Sequence, residues 1–115
     1  MDIRENFDNI KREISEACGK VDRSPEDIKV IAVTKYVTDA IEAGVDAFAE
    51  NRPQNYLERK QKYSDKEWHL IGSLQTRKVR DVINHVDYFH ALDRESLAKE
   101  IEKRAEDKVN CFVQV

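Results

Sequence analysis

A chain of 115 residues suits one small domain, and we predict that residues 1–115 form a single domain. The 20 Lys and Arg residues nearly balance the 23 Asp and Glu residues, and this net charge of −3 disfavours nucleic acid and anionic membranes as partners. The sequence has neither a signal-peptide pattern nor a run of about 18 apolar residues, so we expect a soluble, cytoplasmic protein.

The chain opens with a predicted amphipathic helix. Its apolar residues recur at spacings of three and four, the period of one helix face: Ile3, Phe7, Ile10, Ile14, Ala17 and Val21. Asp2 and Glu5 have the spacing of a capping box, and Gly19 is a candidate C-terminal stop. A second short turn is predicted after it, with Ser24 as its cap and Pro25 at its first position.

Short apolar runs then alternate with helical stretches. The candidate strands are "KVIAV" (29–33), "DAFAE" (46–50), "EWHLIG" (67–72), "DYFHAL" (87–92) and "CFVQV" (111–115). The candidate helices between them cover 38–44, 52–63, 75–84 and 94–107. This alternation predicts an α/β fold with about five parallel strands joined by right-handed crossovers.

Short polar side chains follow the predicted strands, at Thr38, Asn51, Ser73 and Asp93. Each precedes a predicted helix, where its oxygen can cap the first turn. All four are expected at the carboxyl-end edge of the sheet, where converging helix N-termini suit an anionic ligand. Helix capping alone explains these residues equally well.

A lysine ends the first apolar run, in "IAVTKYV" (31–37). Alternation places Lys35 on the same strand face as Ile31 and Val33. Partial desolvation there would favour the neutral amine, which is a nucleophile toward aldehydes. The alternative is a lysine that ends the strand and extends to solvent, and position alone does not decide between the two.

Five stretches together resemble one protein family. "VIAVTKYV", "AGVDAFAEN", "EWHLIGSLQTRK", "HALDRESLAKEIEKRA" and "CFVQV" occur in the order found in the pyridoxal phosphate homeostasis proteins, which are related to the alanine racemase barrel. The WHxIGxLQxxK string is the most specific of these. The resemblance implies the N-terminal half of a TIM (β/α)8 barrel, and therefore a partial barrel preceded by an amphipathic helix.

The resemblance also implies a cofactor and its contacts. Lys35 matches the lysine that forms a Schiff base with pyridoxal 5′-phosphate in the family. Asn51 matches the end of a GEN motif in which this chain has Ala49 in place of glycine. His69, Ser73 and Gln75 occupy positions that line the cofactor site, although His69 is equally explained as a packed barrel histidine.

Two departures from the family pattern affect these expectations. Family members are about twice as long, and their Ser- and Gly-containing phosphate loop follows later barrel strands that this sequence does not contain. The predicted sheet therefore has exposed edges, through which a homo-oligomer could form. The first crossover, "YVTDAIEAGVDA", is also shorter and leaves room for about two helical turns.

Three functions remain open from the sequence. The first is a pyridoxal phosphate carrier in intracellular homeostasis of the cofactor, without turnover. The second is a racemase- or decarboxylase-type enzyme, which would need an acid/base group facing Lys35, and no such catalytic residue is identified. The third is an inert, self-associating barrel fragment. A flavodoxin-like domain would also fit the strand count.

No metal site is predicted. The three histidines, His69, His85 and His90, lack the spacing of metal ligands. Cys18 and Cys111 lie far apart without CxxC spacing, so we interpret them as reduced, structural residues. The sequence also has no GxxxxGK[ST], GxGxxG or GxSxG string, which leaves nucleotide hydrolysis, Rossmann-type binding and α/β-hydrolase chemistry without support.

Overall fold

Helices and strands alternate along the chain, as the hydrophobic pattern predicts. The computed structural model describes residues 2–115. Within that range the helices are α1 (Ile3–Lys20), α2 (Val37–Glu42), α3 (Pro53–Lys62), α4 (Val79–Val82) and α5 (Glu95–Arg104), and the strands are β1 (Ala47–Glu50), β2 (Glu67–Leu70), β3 (Tyr88–Leu92) and β4 (Asn110–Val113). The chain divides into two compact units, Met1–Ala47 and Phe48–Val115, and the boundary falls within β1.

The first helix begins where its capping signal predicts. The Asp2 carboxylate accepts a hydrogen bond from the Glu5 N–H at 3.1 Å. The helix continues one residue beyond Gly19, and the chain then turns through a left-handed backbone at Asp22, where φ is 55°. Ser24 caps the following 3₁₀ turn, as predicted.

The predicted first strand is not formed. Only Ala32 makes a bridge there, through its N–H, which donates to the Ala47 carbonyl at 2.9 Å. Val33, its apolar neighbour, is 61% exposed. The described residues therefore contain four strands rather than the predicted five or so. The helix that follows, α2, has six residues and agrees with the short crossover predicted from the sequence.

The sheet has the strand order β1-β2-β3-β4. The β2–β3 and β3–β4 pairs are parallel, with His69 opposite Tyr88 and Tyr88 opposite Asn110. Parallel neighbours joined by helices are the arrangement that an alternating α/β sequence requires. The predicted α/β class and parallel pairing are thus confirmed.

The core of the second unit lies between the sheet and its helices. Its largest fully buried side chains include Trp68, Leu70, Phe89 and Leu97. The rings of Phe48 and Trp68 stack with centroids 5.3 Å apart. Each such side chain stabilises the fold by about 1.5–3 kcal/mol when removed from water, so packing between the sheet and its helices stabilises this unit.

The predicted helix caps at the strand ends are wrong. The residues that begin these helical turns are Tyr36, Arg52, Gln75 and Arg94, and none of them makes a side-chain capping bond. The helix predicted over 75–84 is also broken, with α4 flanked by two 3₁₀ turns. The polar residues at the strand ends are therefore not explained by capping.

The helices of residues 2–115 include none that combines the length and the apolar character of a membrane span.

Candidate functional site

The carboxyl-end edge of β1 and β2 is held together by a very close backbone contact. The Ile71 N–H donates to the Glu50 carbonyl at 3.0 Å, which continues the pairing beyond the strands. At Gly72, a Cβ atom would lie 2.1 Å from the Asn51 carbonyl oxygen, so only glycine fits there. This contact places Asn51 beside the connection that carries Ser73.

Two of the predicted site residues present polar groups at this edge. Asn51 and Ser73 are both exposed, and neither side chain has a hydrogen-bond partner within residues 2–115. The neighbouring Glu50 carboxylate forms an ion pair with Arg59 at 2.7 Å, so its charge is partly compensated. An amide and a hydroxyl are thus available to a ligand.

Arginine side chains add positive charge to the same edge. Arg77 donates from Nε to the side-chain oxygen of Gln75 at 3.0 Å. Arg94 donates to the Leu74 carbonyl at 2.6 Å and pairs with Asp93 at 2.8 Å. The Gln75 amide oxygen is therefore engaged by an arginine rather than open to a ligand. Arg94 is not among the site residues predicted from the sequence, although its place two residues after the end of β3, next to Asp93, was a usable signal.

His69 lies inside the sheet rather than at its edge. Its side chain is 2% exposed, and its ring stacks on Tyr88 with centroids 4.4 Å apart. Nε2 lies 2.8 Å from a carboxylate oxygen of Glu67, and Nδ1 lies 2.8 Å from Nε2 of His90. Both ring nitrogens are therefore used within the protein, which favours the packed-histidine interpretation.

Lys35 belongs to the first unit and lies in a bend, because the strand predicted to carry it does not form. The Thr34 hydroxyl accepts a hydrogen bond from the Tyr36 N–H at 3.0 Å and holds this bend. The Lys35 Nζ lies 5.5 Å from the centroid of the Tyr36 ring. Lys35 is exposed, which favours the predicted alternative of a lysine that extends to solvent over that of a partly desolvated amine, and the side chain is accessible to a reagent.

The two cysteines are free thiols, one buried and one half-buried. Burial raises the pKa of Cys111, which disfavours its reactive thiolate form. Across residues 2–115 the structure has no group of three or more His, Cys, Asp or Glu side chains arranged to bind a metal ion.

Similarity to curated proteins extends over the whole chain. A Haemophilus influenzae protein is 34% identical over 127 aligned positions, which include 100% of this chain and 54% of that protein. Relatives from Aquifex aeolicus and Escherichia coli are 35% and 36% identical, over 91% and 84% of this chain. All three are named pyridoxal phosphate homeostasis protein. This chain is a relative of the pyridoxal phosphate homeostasis proteins. It spans about half their length, at 46–54% of each.

Solved structures agree with this relationship. PipY of Synechococcus elongatus, solved with PLP bound, superposes with a TM-score of 0.61 at 30% identity, over 78% of this chain and 47% of PipY. A protein of unknown function from Bifidobacterium adolescentis gives a TM-score of 0.73 at 25% identity, over 96% of this chain and 59% of that one. No family model matches the chain. The resemblance to pyridoxal phosphate homeostasis proteins, which was inferred from the sequence, is thus confirmed.

Proposed function

We propose that this chain binds pyridoxal 5′-phosphate and contributes to intracellular homeostasis of that cofactor. The observation that carries the proposal is the likeness to PipY, a protein solved with the cofactor bound, at 30% identity. The curated relatives support it through their shared name. The strand–helix alternation and the parallel pairs further support the view that residues 1–115 are one domain with the topology of a partial (β/α)8 barrel.

The polar edge of the second unit fits part of such a ligand. Asn51 offers an amide and Ser73 a hydroxyl, and both are exposed. Arg77, which follows Ser73 in the same connection, adds a cation bonded to Gln75. Oxygen-rich anions are held in proteins by such donors. We propose direct contacts for Asn51, for Ser73 and, through its side-chain NH₂, for Gln75, and a supporting role from within the sheet for His69.

Lys35 is the proposed point of covalent attachment. The cofactor, when bound, supplies an aldehyde carbon, and a primary amine is the group that condenses with it. The exposed position of Lys35 admits that aldehyde. Because Lys35 is exposed, selective attachment would have to come from binding of the cofactor beside this amine.

Reductive trapping tests this attachment. The protein is incubated with pyridoxal 5′-phosphate and reduced with borohydride, and the modified residue is identified by mass spectrometry. Lys62 is a matched control, because it is also exposed and its Nζ lies 5.4 Å from the ring of the adjacent Tyr63. We expect one adduct at Lys35, lost in Lys35→Arg and retained in Lys62→Arg. Equal labelling of the two lysines would contradict the proposal and favour an inert fragment.

We propose binding without turnover. No acid/base group was identified to face Lys35, and a racemase or decarboxylase would need one. Reductive trapping is therefore accompanied by an assay for turnover. In this assay L-alanine or another amino acid is incubated with the cofactor-loaded protein. Unchanged amino acid is expected. Production of the D-isomer or of an amine, above the rate given by free cofactor, would instead establish the enzyme alternative.

A further inference from the structure

A line of hydrogen bonds crosses one face of the sheet. It runs from the Glu67 carboxylate to Nε2 of His69, over 2.8 Å, and from Nδ1 of His69 to Nε2 of His90, also over 2.8 Å. The ring of Phe112, on β4, lies 4.5 Å from that of His90. We call this surface, formed by Glu67, His69, Tyr88, His90 and Phe112, the histidine face.

The proton positions in this line follow from the donor and acceptor properties of the groups. An ionised carboxylate only accepts hydrogen bonds, so Glu67 requires a proton on Nε2 of His69. A neutral His69 then carries its lone pair on Nδ1, and the proton shared with His90 must belong to Nε2 of His90. Neutral His90 is left with a lone pair on Nδ1.

That remaining nitrogen is open to a ligand. His90 is half-buried, and its Nδ1 makes no hydrogen bond within the described chain. Phe112 beside it is 52% exposed and offers an apolar flank. An acceptor nitrogen next to an exposed aromatic ring suits a planar molecule that carries a hydroxyl donor.

We propose that Glu67 and His69 fix neutral His90 as its Nε2–H tautomer, and that Nδ1 of His90 binds the hydroxyl of a small aromatic ligand on the histidine face. Phenol is the simplest member of this ligand class. The inference concerns the second unit alone and does not depend on attachment of a cofactor at Lys35.

Few titratable or charged groups face His90. On β2 the groups that face it are Glu67 and His69, and on its own strand Tyr88. Strand alternation brings Ala49 of β1 and Asn110 of β4 to the same face, and neither is charged. Burial, and secondarily the nearby His69, lower the pKa of His90 from its usual 6.5. The acceptor form therefore persists into mildly acidic solution, and protonation of Nδ1 below that pKa abolishes it.

Nitrogen-15 NMR of the imidazole rings tests the proposal on the full chain at about pH 8, where histidine is neutral. The expected spectrum shows a protonated Nε2 and an unprotonated Nδ1 for His90. Added phenol should shift the Nδ1 resonance of His90 and leave that of exposed His85 in place. A His90 protonated on Nδ1, as would follow if His69 were an imidazolium donating from both nitrogens, overturns the assignment. If the His90 resonance shows no selective shift at phenol concentrations up to the solubility limit, the proposed ligand class is wrong.

A substitution of Glu67 tests whether its carboxylate decides which ring nitrogens of His69 and His90 carry protons. In Glu67→Gln the side-chain NH₂ can donate to Nε2 of His69, which would move the His69 proton to Nδ1 and the His90 proton to Nδ1 as well. We expect the Nδ1–H form of His90 to rise from undetectable to a substantial fraction. Glu102→Gln, on the exposed side of α5, is the control and should leave the tautomer unchanged. If Glu67→Gln keeps His90 entirely in its Nε2–H form, Glu67 does not determine the tautomer of His90.

Discussion

At the scale of single residues, Gly72 shows how tightly the carboxyl-end edge is built. We predict that Gly72→Ala destabilises the protein by about 1–3 kcal/mol, as expected for overpacking, because the added Cβ would lie 2.1 Å from the Asn51 carbonyl oxygen. The clash is with backbone, which cannot rotate away. Urea unfolding followed by Trp68 fluorescence measures the effect.

Gly19 provides the matched control for that substitution. It lies in α1, and a Cβ there would meet nothing within 4 Å. Gly19→Ala should therefore stabilise the helix by about 0.5–1 kcal/mol through its higher helix propensity. Equal effects of the two substitutions would show that the close contact at Gly72 is not structurally important.

His90 gives a second residue-scale prediction, which concerns pH. Because its pKa is lowered in the folded protein, the unfolded chain binds a proton that the folded chain does not, in the window between the usual 6.5 and the lowered value. The free energy of unfolding should therefore fall as the pH decreases through that window. We expect His90→Gln to show a shallower decrease in urea midpoints measured from neutral to mildly acidic pH. Identical slopes would contradict this.

At the scale of elements, one buried hydroxyl joins α3 to the sheet. Tyr56 is 0% exposed, and its hydroxyl accepts from the Asp87 N–H at 3.0 Å. The same oxygen lies 3.3 Å from the Trp68 carbonyl and 3.2 Å from the His85 carbonyl, to either of which it can donate. Burial raises the pKa of Tyr56 far above its usual value, so the donor proton is retained. The hydroxyl thus fixes α3 against β2 and the start of β3.

Removing that hydroxyl is expected to weaken the attachment. Tyr56→Phe leaves the Asp87 N–H without its acceptor, and an unpaired buried donor costs about 1–3 kcal/mol. Tyr36→Phe, at a tyrosine that is 51% exposed, should change stability by less than about 0.5 kcal/mol. Thermal or urea unfolding of both variants distinguishes the two cases, and a Tyr56→Phe protein as stable as the control would disprove the role of the hydroxyl.

Sequence periodicity predicted most of these elements because it reports burial. The four strands and α1, α3 and α5 form within a few residues of their predicted positions. The run at 29–33 has the same apolar character, but a strand also needs a paired backbone, and only Ala32 bridges there. Capping signals worked at Asp2 and Ser24, where the side chains bond locally, and failed at the strand ends.

The candidate site was harder to predict than the fold. Asn51 and Ser73 are polar residues at a sheet edge, and their position follows from strand order alone. The bond of His69 to His90 depends on the register that sets His69 opposite Tyr88, and a single sequence does not encode that register. Lys35 was assigned to a strand that does not form, and its exposure matches the alternative in which the lysine extends to solvent.

At the scale of the whole molecule, the single-domain prediction can be tested by cooperativity. The first unit ends at Ala47, and Cys18 is the only buried residue of its longest helix. A segment of this size rarely folds alone, so we expect one unfolding transition for residues 1–115. Hydrogen exchange at the Ala32 amide and Trp68 fluorescence report on the two units separately. Loss of Ala32 protection at lower urea than the fluorescence change would indicate two independent domains.

Self-association is the second prediction at this scale. Within the described residues β4 ends the sheet, so its outer backbone groups lack a neighbouring strand, and Val113 on it is 74% exposed. An apolar, unpaired edge is a template for pairing with another copy.

We predict that the chain associates as its concentration rises in sedimentation velocity, and that Val113→Lys suppresses association because a charge at the edge opposes strand pairing. Val21 is 70% exposed at the end of α1, away from any strand edge, so Val21→Lys should leave association unchanged. A monomer at all concentrations, or equal suppression by both substitutions, would exclude pairing through β4.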